Sequence, residues 1–338
     1  MKPSLVPLLA CPTCKGSLDL ATTRGDASDI DEGSLSCAAC GSRHPILRGV
    51  PRFVPTALAS DKQATVDAFG WQWTHHHEIV PEHEQQFLDW VAPLERRDFE
   101  GRTVLDGGCG KGRHLACAAR FGAAVAIGVD LSDAVDAAWS NVRHLPNAHV
   151  VQADLYSLPF REGTFDLAYS VGVLHHLPDP RGGFAALVPL VRAGGRIAAW
   201  VYGRENNDWI VHLVNPVREH VTSRLPRRVL EALASLMTAL VLWPITKLVY
   251  GPLNRVAPQF AQGMLFYNDY LAYISRLPFR ELRTIVFDHL VAPTAFYLTR
   301  EEFAAWFDRS DLEAPLIGWH NRNSWRGLSA RHPGPSPR

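Results

Sequence analysis

Four of the six cysteines stand in two Cys-x-x-Cys pairs, Cys11 with Cys14 and Cys37 with Cys40. Two such pairs on two tight turns place four thiolates at the corners of a tetrahedron, the arrangement that a structural zinc ion requires. Four ligands leave no open position, so the predicted zinc is structural. A segment this short cannot fold on its own core, whereas zinc binding contributes roughly 10–16 kcal/mol. Four free thiols or a redox-active pair are the alternatives.

A glycine-rich segment, TVLDGGCGKGRHL at residues 103–115, predicts a strand, a loop and a helix start. A Walker loop requires G-x-x-x-x-G-K-[ST], but Leu105 and Gly112 occupy two of its defining positions. A dinucleotide loop requires G-x-G-x-x-G, but Arg113 stands where the third glycine belongs. The pattern is D-x-G-x-G-x-G, which brings bare backbone and free helix N–H groups close to a ligand. A ligand with a carboxylate and an ammonium group would suit it, such as the methionine end of S-adenosylmethionine.

The loop resembles motif I of class I S-adenosylmethionine-dependent methyltransferases of the type 11 kind, and the next strand ends agree with that family. The second strand ends at Asp130, whose carboxylate can accept both ribose hydroxyls. The third ends at Asp154, which can receive the adenine amino group. The resemblance implies S-adenosylmethionine as the cofactor. The implied cofactor-binding residues are Asp106, Gly107, Gly108, Gly110, Gly112, Asp130, Leu131, Asp154, Leu155 and Ser170.

Apolar strands alternate with helices over the part of the chain that follows this loop, which predicts an α/β fold with helices on both faces of a parallel sheet. The resemblance implies a Rossmann-like, seven-stranded methyltransferase sheet built from residues 99–203 and 292–332. The alternation stops at Gly203. We therefore predict a mainly helical insertion after strand five, residues 204–291, which serves as a substrate lid.

The N-terminal part divides into two segments. Residues 1–56 resemble the Trm112-like zinc ribbon family through the four cysteines and the segment HPILRGVP. That family implies support or activation of a methyltransferase. Residues 57–98 are predicted to form a helical linker and cofactor lid, in which Trp71 and Trp73 either cover the cofactor or pack in the core. Residues 333–338 are predicted to be a disordered tail.

Methyl transfer from a sulfonium is an in-line displacement, so the protein mainly supplies proximity and alignment. A general base is useful only where the acceptor must lose a proton. His175 and His176, just past strand four, are the first candidates for this catalytic role, and Tyr202, past strand five, is the next. The alternative is that the histidine pair caps a helix or lines the pocket.

A second group of histidines, His75, His76 and His77 with His83, is interpreted as a solvated or lid segment, because adjacent side chains cannot easily share one metal ion. Cys109 and Cys117, in the loop and on its helix, are interpreted as packing residues. A lipoprotein signal in MKPSLVPLLAC is disfavoured because its apolar part is short. We expect a cytoplasmic protein that can be peripheral to a membrane.

The acceptor is predicted from charge and from the insertion. Lys plus Arg and Asp plus Glu both total 34, which argues against a nucleic-acid partner. The strand-four end, from Ser170, lacks the Asn/Asp-Pro-Pro-aromatic motif of nucleobase and amide methyltransferases. Between Glu231 and Lys247 lie fifteen uncharged residues beside an arginine-rich flank. Such a helix can lie in a membrane interface, here through residues 229–250. A buried lid helix or a homodimer face is the alternative.

These observations predict methyl transfer to a small, hydrophobic or lipid-like acceptor. The alternative is an RNA methyltransferase, acting on rRNA or tRNA, that uses the zinc ribbon to dock its substrate. A third interpretation is a partner-docking ribbon on a non-catalytic methyltransferase fold, against which the intact cofactor motifs argue.

Overall fold

A computed structural model describes residues 1–55 and 60–333, without the side chains of residues 60 and 61. The predicted boundary at residues 56 and 57 and nearly all of the predicted tail, 333–338, lie outside the described residues. The strands are β1 (Leu18–Gly25), β2 (Ile30–Cys37), β3 (Arg43–Leu47), β4 (Val50–Phe53), β5 (Thr103–Gly107), β6 (Val125–Asp130), β7 (Ala148–Ala153), β8 (Phe165–Val171), β9 (Val191–Tyr202), β10 (Leu316–His320) and β11 (Ser324–Ala330).

The strands form one sheet in the order β1-β2-β3-β4-β7-β6-β5-β8-β9-β11-β10. Strands β5 to β11 are the predicted seven-stranded core, in which β7, β6, β5, β8 and β9 are parallel neighbours. The last two strands run antiparallel, β11 to β9 and β10 to β11. Every residue of β7 is buried, as expected where helices cover both faces of a parallel sheet. The sheet has eleven strands because the N-terminal segment adds four.

The N-terminal segment joins the core through main-chain pairing. Strand β4 lies parallel to β7, with Arg52 opposite Gln152 and Phe53 opposite Ala153. The buried Arg52 guanidinium donates to Gln152 Oε1 at 2.7 Å and to Asp136 Oδ1 at 2.5 Å. An uncovered β7 would present unpaired N–H and C=O groups. The ribbon therefore covers one edge of the core sheet.

Helices cover the sheet and build the predicted lids. The linker segment holds Ser60–His75 and Glu82–Val91, and the core holds Arg113–Arg120, Ala134–Val142, Pro180–Leu187 and Arg300–Ala304. The insertion holds Asn215–His220, Arg227–Val256, Pro258–Met264, Asn268–Ile274 and Phe279–Val291. The insertion is therefore helical, as predicted. The capping box at Thr299 is present, because its hydroxyl accepts from Glu302 N at 3.1 Å and the Glu302 carboxylate accepts from Thr299 N at 2.8 Å.

The longest helix, Arg227–Val256, is called the insertion helix below. Among the described residues it is the one helix that is long and apolar enough to cross a membrane by length and composition. It has 30 residues and continues through Pro244. Two π-helical segments, Thr238–Leu242 and Ile245–Tyr250, flank that proline. The wider π turn accommodates the loss of the backbone hydrogen bond that proline cannot donate.

The π-helical segments also set which face of the insertion helix is inside. Its buried side chains recur every four residues. An α-helix turns every 3.6 residues, so a four-residue stripe drifts around its axis. Turns with i→i+5 hydrogen bonds offset this drift. One stripe therefore stays on the protein for the whole helix, formed by Leu230, Ala234, Thr238, Thr246 and Tyr250.

Candidate functional site

The four cysteines of the two Cys-x-x-Cys pairs form a compact cluster. Their Sγ atoms all lie within 4.8 Å of one another, with Cys11 and Cys40 at 3.6 Å and Cys14 and Cys37 at 3.5 Å. A tetrahedral zinc with Zn–S bonds of about 2.3 Å separates its sulfurs by about 3.8 Å. The geometry therefore fits a structural zinc. Over residues 1–55 and 60–333, no other group of histidine, cysteine or acidic side chains has such geometry.

The glycine-rich loop after β5 has a backbone that side chains cannot follow. Gly108 and Gly110 have φ values of 89° and 50°. A Cβ atom on Gly108 would stand 2.4 Å from a Val173 methyl, and one on Gly110 would stand 3.2 Å from the Trp73 ring. The loop therefore lies within contact distance of both neighbours. This explains why the sequence has glycine at these positions.

The carboxylate of Asp130, at the end of β6, anchors this loop. Its Oδ2 accepts from Gly110 N at 2.9 Å, and its Oδ1 accepts from the Ser132 amide at 2.9 Å and hydroxyl at 2.7 Å. Burial raises the pKa of this carboxyl group. Asp130 also lines the large cavity beside the loop. It is therefore placed to hold a diol while it holds the loop.

Asp106, at the end of β5, lies beneath the loop. It is 1% exposed, neither carboxylate oxygen has a well-formed hydrogen bond in the described protein, and the nearby Tyr169 hydroxyl and Leu115 amide offset its burial only in part. Burial, helped by the nearby Asp130 charge, raises its pKa to about 8. A buried, unpartnered carboxylate requires either a proton or a neighbouring cation. The raised pKa supplies the proton in the ligand-free protein, and the binding of the cofactor by Asp106 stays a prediction.

The Asp106→Asn variant is expected to change the pH dependence of stability in the ligand-free protein. Folded Asp106 keeps its proton up to pH about 8, whereas the unfolded chain loses it near 3.8. The unfolded state therefore binds fewer protons between these values, and the free energy of unfolding falls as pH rises, by roughly 1.4 kcal/mol per unit. Urea unfolding at pH 6 and pH 8 measures the slope. The variant should lose this contribution, and equal slopes in both proteins would contradict the pKa assignment.

The third acidic residue, Asp154, follows β7. Its Oδ1 accepts from Tyr156 N at 3.1 Å, and its Oδ2 contacts the Lys62 ammonium. Lys62 belongs to the linker helix Ser60–His75. This ion pair therefore connects the predicted cofactor lid to Asp154, the residue predicted to bind the adenine. Trp73, from the same helix, lines the cavity, whereas Trp71 packs against Phe287 with ring centroids 5.4 Å apart.

A cavity of about 510 Å³ brings most of the predicted site together. The predicted residues that line it are Gly108, Gly110, Asp130, Leu131, Asp154, Leu155, His176 and Tyr202. The predicted residues that stand behind its wall are Asp106, Gly107, Gly112, Ser170 and His175. The Ser170 hydroxyl, for example, donates to Gly107 O at 2.7 Å, so it supports the loop from the sheet. The predicted site residues therefore fall into two groups, those that line the cavity and those that support the lining residues from behind.

The two adjacent histidines occupy different environments. His176 lines the cavity and its Nδ1 lies 2.6 Å from the Thr294 carbonyl. A carbonyl only accepts, so Nδ1 carries the hydrogen and Nε2 keeps a lone pair. Burial lowers the pKa of His176 and keeps the ring neutral. His175 is completely buried against Tyr202, with ring centroids 4.0 Å apart and neither ring nitrogen bonded. The base assignment therefore favours His176.

Two acidic contacts of the cavity wall have no local signal in the sequence. Tyr202 donates to Asp288 Oδ2 at 3.2 Å, and burial raises the Tyr202 pKa well above its usual range. Tyr202 is therefore a hydrogen-bond donor in this site. His83 Nε2 lies 2.9 Å from Glu281, whose pKa falls to about 2 because the His83 hydrogen bond and nearby Lys111 outweigh its burial. Both acidic residues come from the insertion.

Comparison with known proteins agrees with this geometry. The model of the methyltransferase domain family matches residues 105–199, and that of the Trm112p-like family matches residues 2–49. The chain is 30% identical to the ubiquinone biosynthesis O-methyltransferase of Thiobacillus denitrificans, over 46% of this chain and 67% of that protein. It is 32% identical to the tRNA U34 carboxymethyltransferase of Pseudoalteromonas translucida, over 38% of this chain and 35% of that protein.

Among solved structures, the magnesium protoporphyrin IX methyltransferase of Synechocystis with bound SAH matches 80% of this chain and 99% of its own, with 14% identity and a TM-score of 0.44. The chain covers 35% and 62% of two of its curated relatives, so the match is to their shared domain. This chain belongs to the S-adenosylmethionine-dependent methyltransferases. It carries a Trm112-like, four-cysteine module at its N-terminal end, and S-adenosylmethionine is the cofactor that its loop fits.

Proposed function

We propose that this protein transfers the methyl group of S-adenosylmethionine to a small, hydrophobic or lipid-like acceptor. The observation that carries this proposal is the cavity, which extends from the glycine loop beneath the insertion. The insertion contributes mostly apolar and aromatic walls there, including Ile210, Val214, Leu242, Leu271 and Ile274. Such walls stabilise an apolar acceptor by roughly 25 cal/mol for each Å² of its surface removed from water.

The residues beside the loop support a proton transfer. S-adenosylmethionine supplies an activated methyl group when it is bound. His176 Nε2 can take the proton of an acceptor hydroxyl, so that the oxygen could receive the methyl group that bound S-adenosylmethionine would release from its sulfur. The Tyr202 hydroxyl, fixed by Asp288, can orient the acceptor from the neighbouring wall. Similarity to the ubiquinone biosynthesis O-methyltransferases supports an oxygen acceptor.

The His176→Gln variant is expected to lower kcat by about a hundredfold or more, because a positioned general base contributes 10²–10⁴-fold. Glutamine keeps a polar side chain of similar length but takes no proton. S-adenosylmethionine affinity should remain within threefold or so of the wild type, which calorimetric titration would check. Methyl transfer from tritium-labelled cofactor into a lipid extract measures kcat. A variant with unchanged kcat would remove His176 from the mechanism.

An RNA acceptor is the second candidate, favoured by the similarity to the tRNA U34 carboxymethyltransferases. The cations on the cavity wall argue against it, because they are already engaged. Lys62 contacts Asp154, Lys111 donates to the Glu78 carbonyl at 2.8 Å, and the Arg113 guanidinium lies over the Trp73 and Trp90 rings at 5.5 and 5.3 Å. A polyanion requires cations that are available to phosphates. Labelling of total tRNA, with no labelling of the lipid extract, would favour RNA over the hydrophobic acceptor.

A further inference from the structure

The insertion helix exposes an apolar face that no described part of the chain covers. Only 22% of its most apolar window is buried, although the mean hydropathy of that window is 1.7. Leu240 and Leu248 are each 68% exposed, and Leu236 is 56% exposed. Soluble surfaces rarely expose contiguous apolar patches of this kind without a partner. The face therefore requires an occupant.

The opposite face of the insertion helix packs along the protein surface. Its inward stripe packs on helix Phe279–Val291, where Leu230 and Ala234 share a buried cluster with Phe287. The Lys247 ammonium donates to the Ser275 and Leu277 carbonyls at 2.5 and 2.8 Å. A membrane-spanning helix would have to leave these contacts. The exposed face is available only to something that approaches from outside.

The charges around this face identify the chemistry of the occupant. Residues 209–264 carry six basic side chains and two acidic ones. Arg224 is exposed three residues before the insertion helix, Arg228 is exposed in its first turn, and Arg255 is exposed at its end. Glu231, one of the two acidic residues, faces His76 at 3.4 Å. An apolar strip flanked by cations matches an anionic lipid surface, which attracts each nearby Lys or Arg. In a symmetric dimer the same cations would face each other.

The cavity reaches this face. Met237 lines the cavity and is 41% exposed on the insertion helix. Trp209 and Phe266, from neighbouring parts of the insertion, also line the cavity and are exposed. The side chains at the cavity mouth are therefore continuous with the apolar face. An acceptor dissolved in lipid could enter without passing through water.

We propose that the exposed face of the insertion helix docks the protein on an anionic lipid bilayer and that the acceptor enters the cavity from that bilayer. The docking follows from the helix alone, whereas the entry route rests on the proposed methyl transfer. The protein lies on the bilayer, with the leucines in the headgroup region and the arginines at lipid phosphates.

Flotation of the zinc-loaded protein with vesicles tests the docking. Vesicles of equal parts phosphatidylcholine and phosphatidylglycerol should bind the wild type more tightly than phosphatidylcholine alone, and added salt should weaken the binding. The double variant Leu240→Glu with Leu248→Glu should bind at least about tenfold more weakly, since it removes two exposed apolar side chains from the docking face and adds charges that repel lipid phosphates. Leu316→Glu, at an exposed leucine of β10, is the matched control and should bind as the wild type does.

Separate readouts keep the two proposals distinguishable. The double variant should bind S-adenosylmethionine as the wild type does, which shows that it is folded. Vesicle binding without any methyl transfer would support the docking and overturn the proposed function. Absence of vesicle binding, or equal binding by the double variant, would overturn the docking. A wild-type dimer that the double variant dissociates would assign the face to a second copy and overturn it as well.

Discussion

Replacing Asp130 with alanine is expected to weaken S-adenosylmethionine binding by about a hundredfold or more. Two hydrogen bonds from ribose hydroxyls to this carboxylate would be lost, and hydrogen bonds to charged groups contribute roughly 1.5–3 kcal/mol each. The variant also loses the anchor of the loop, because Asp130 accepts from Gly110 N and from Ser132. Calorimetric titration of S-adenosylmethionine into the zinc-loaded protein measures the effect.

A nearby acidic residue provides the matched control. Asp133 lies three residues further on, and its side chain is 80% exposed. The Asp133→Ala variant removes the same charge from the same segment and should bind the cofactor within about threefold of the wild type. Loss of affinity in both variants would indicate a general effect of charge. Retained affinity in Asp130→Ala would remove this carboxylate from the cofactor site.

The second large effect is expected at the cysteine cluster. The Cys40→Ser variant removes one of four zinc ligands while it changes little packing, because Cys40 is exposed. Structural zinc contributes roughly 10–16 kcal/mol, which is as large as the whole stability of a typical domain at about 5–15 kcal/mol. We therefore expect the variant to lose its zinc to a mild chelator and its N-terminal segment to become sensitive to protease. Metal analysis after chelation measures the zinc that remains.

Ser42→Ala is the control for this prediction. The Ser42 hydroxyl lies 3.1 Å from the Cys11 sulfur and 3.2 Å from the Cys40 sulfur, so its loss perturbs the cluster but removes no ligand. This variant should retain zinc under the same chelation. If Cys40→Ser also retains one zinc ion per chain, the cluster is not the four-thiolate site described above. Loss of zinc from Ser42→Ala would show that the hydrogen bonds matter as much as the ligands.

The features that the sequence predicted well are those coded over short distances. Cys-x-x-Cys spacing places two thiolates on one turn. The turn at residue 108 has a φ of 89°, a backbone conformation that favours glycine. Asp130 and Asp154 were expected at one edge of the sheet because parallel strands bring their carboxyl ends together, and both line the cavity there, while their roles stay predictions.

The features that it could not predict depend on long-range packing. Tyr202 and Asp288 are 86 residues apart in the sequence, and His83 and Glu281 are 198 residues apart. No sequence spacing predicts that either pair is in contact. The choice between His175 and His176 depends on how one short turn is rotated against β9. The pairing of β4 with β7 could not be predicted from the sequence either, because main-chain hydrogen bonds are the same for any two strand edges.

That pairing has a consequence for stoichiometry. Strands β4 and β7 belong to one chain, so the zinc module meets its docking edge as an intramolecular event. A module supplied as a separate protein would dock only as often as its own abundance and affinity allow. Here every methyltransferase core carries its ribbon from the moment it is synthesised, in a fixed one-to-one ratio that neither dilution nor expression level can change.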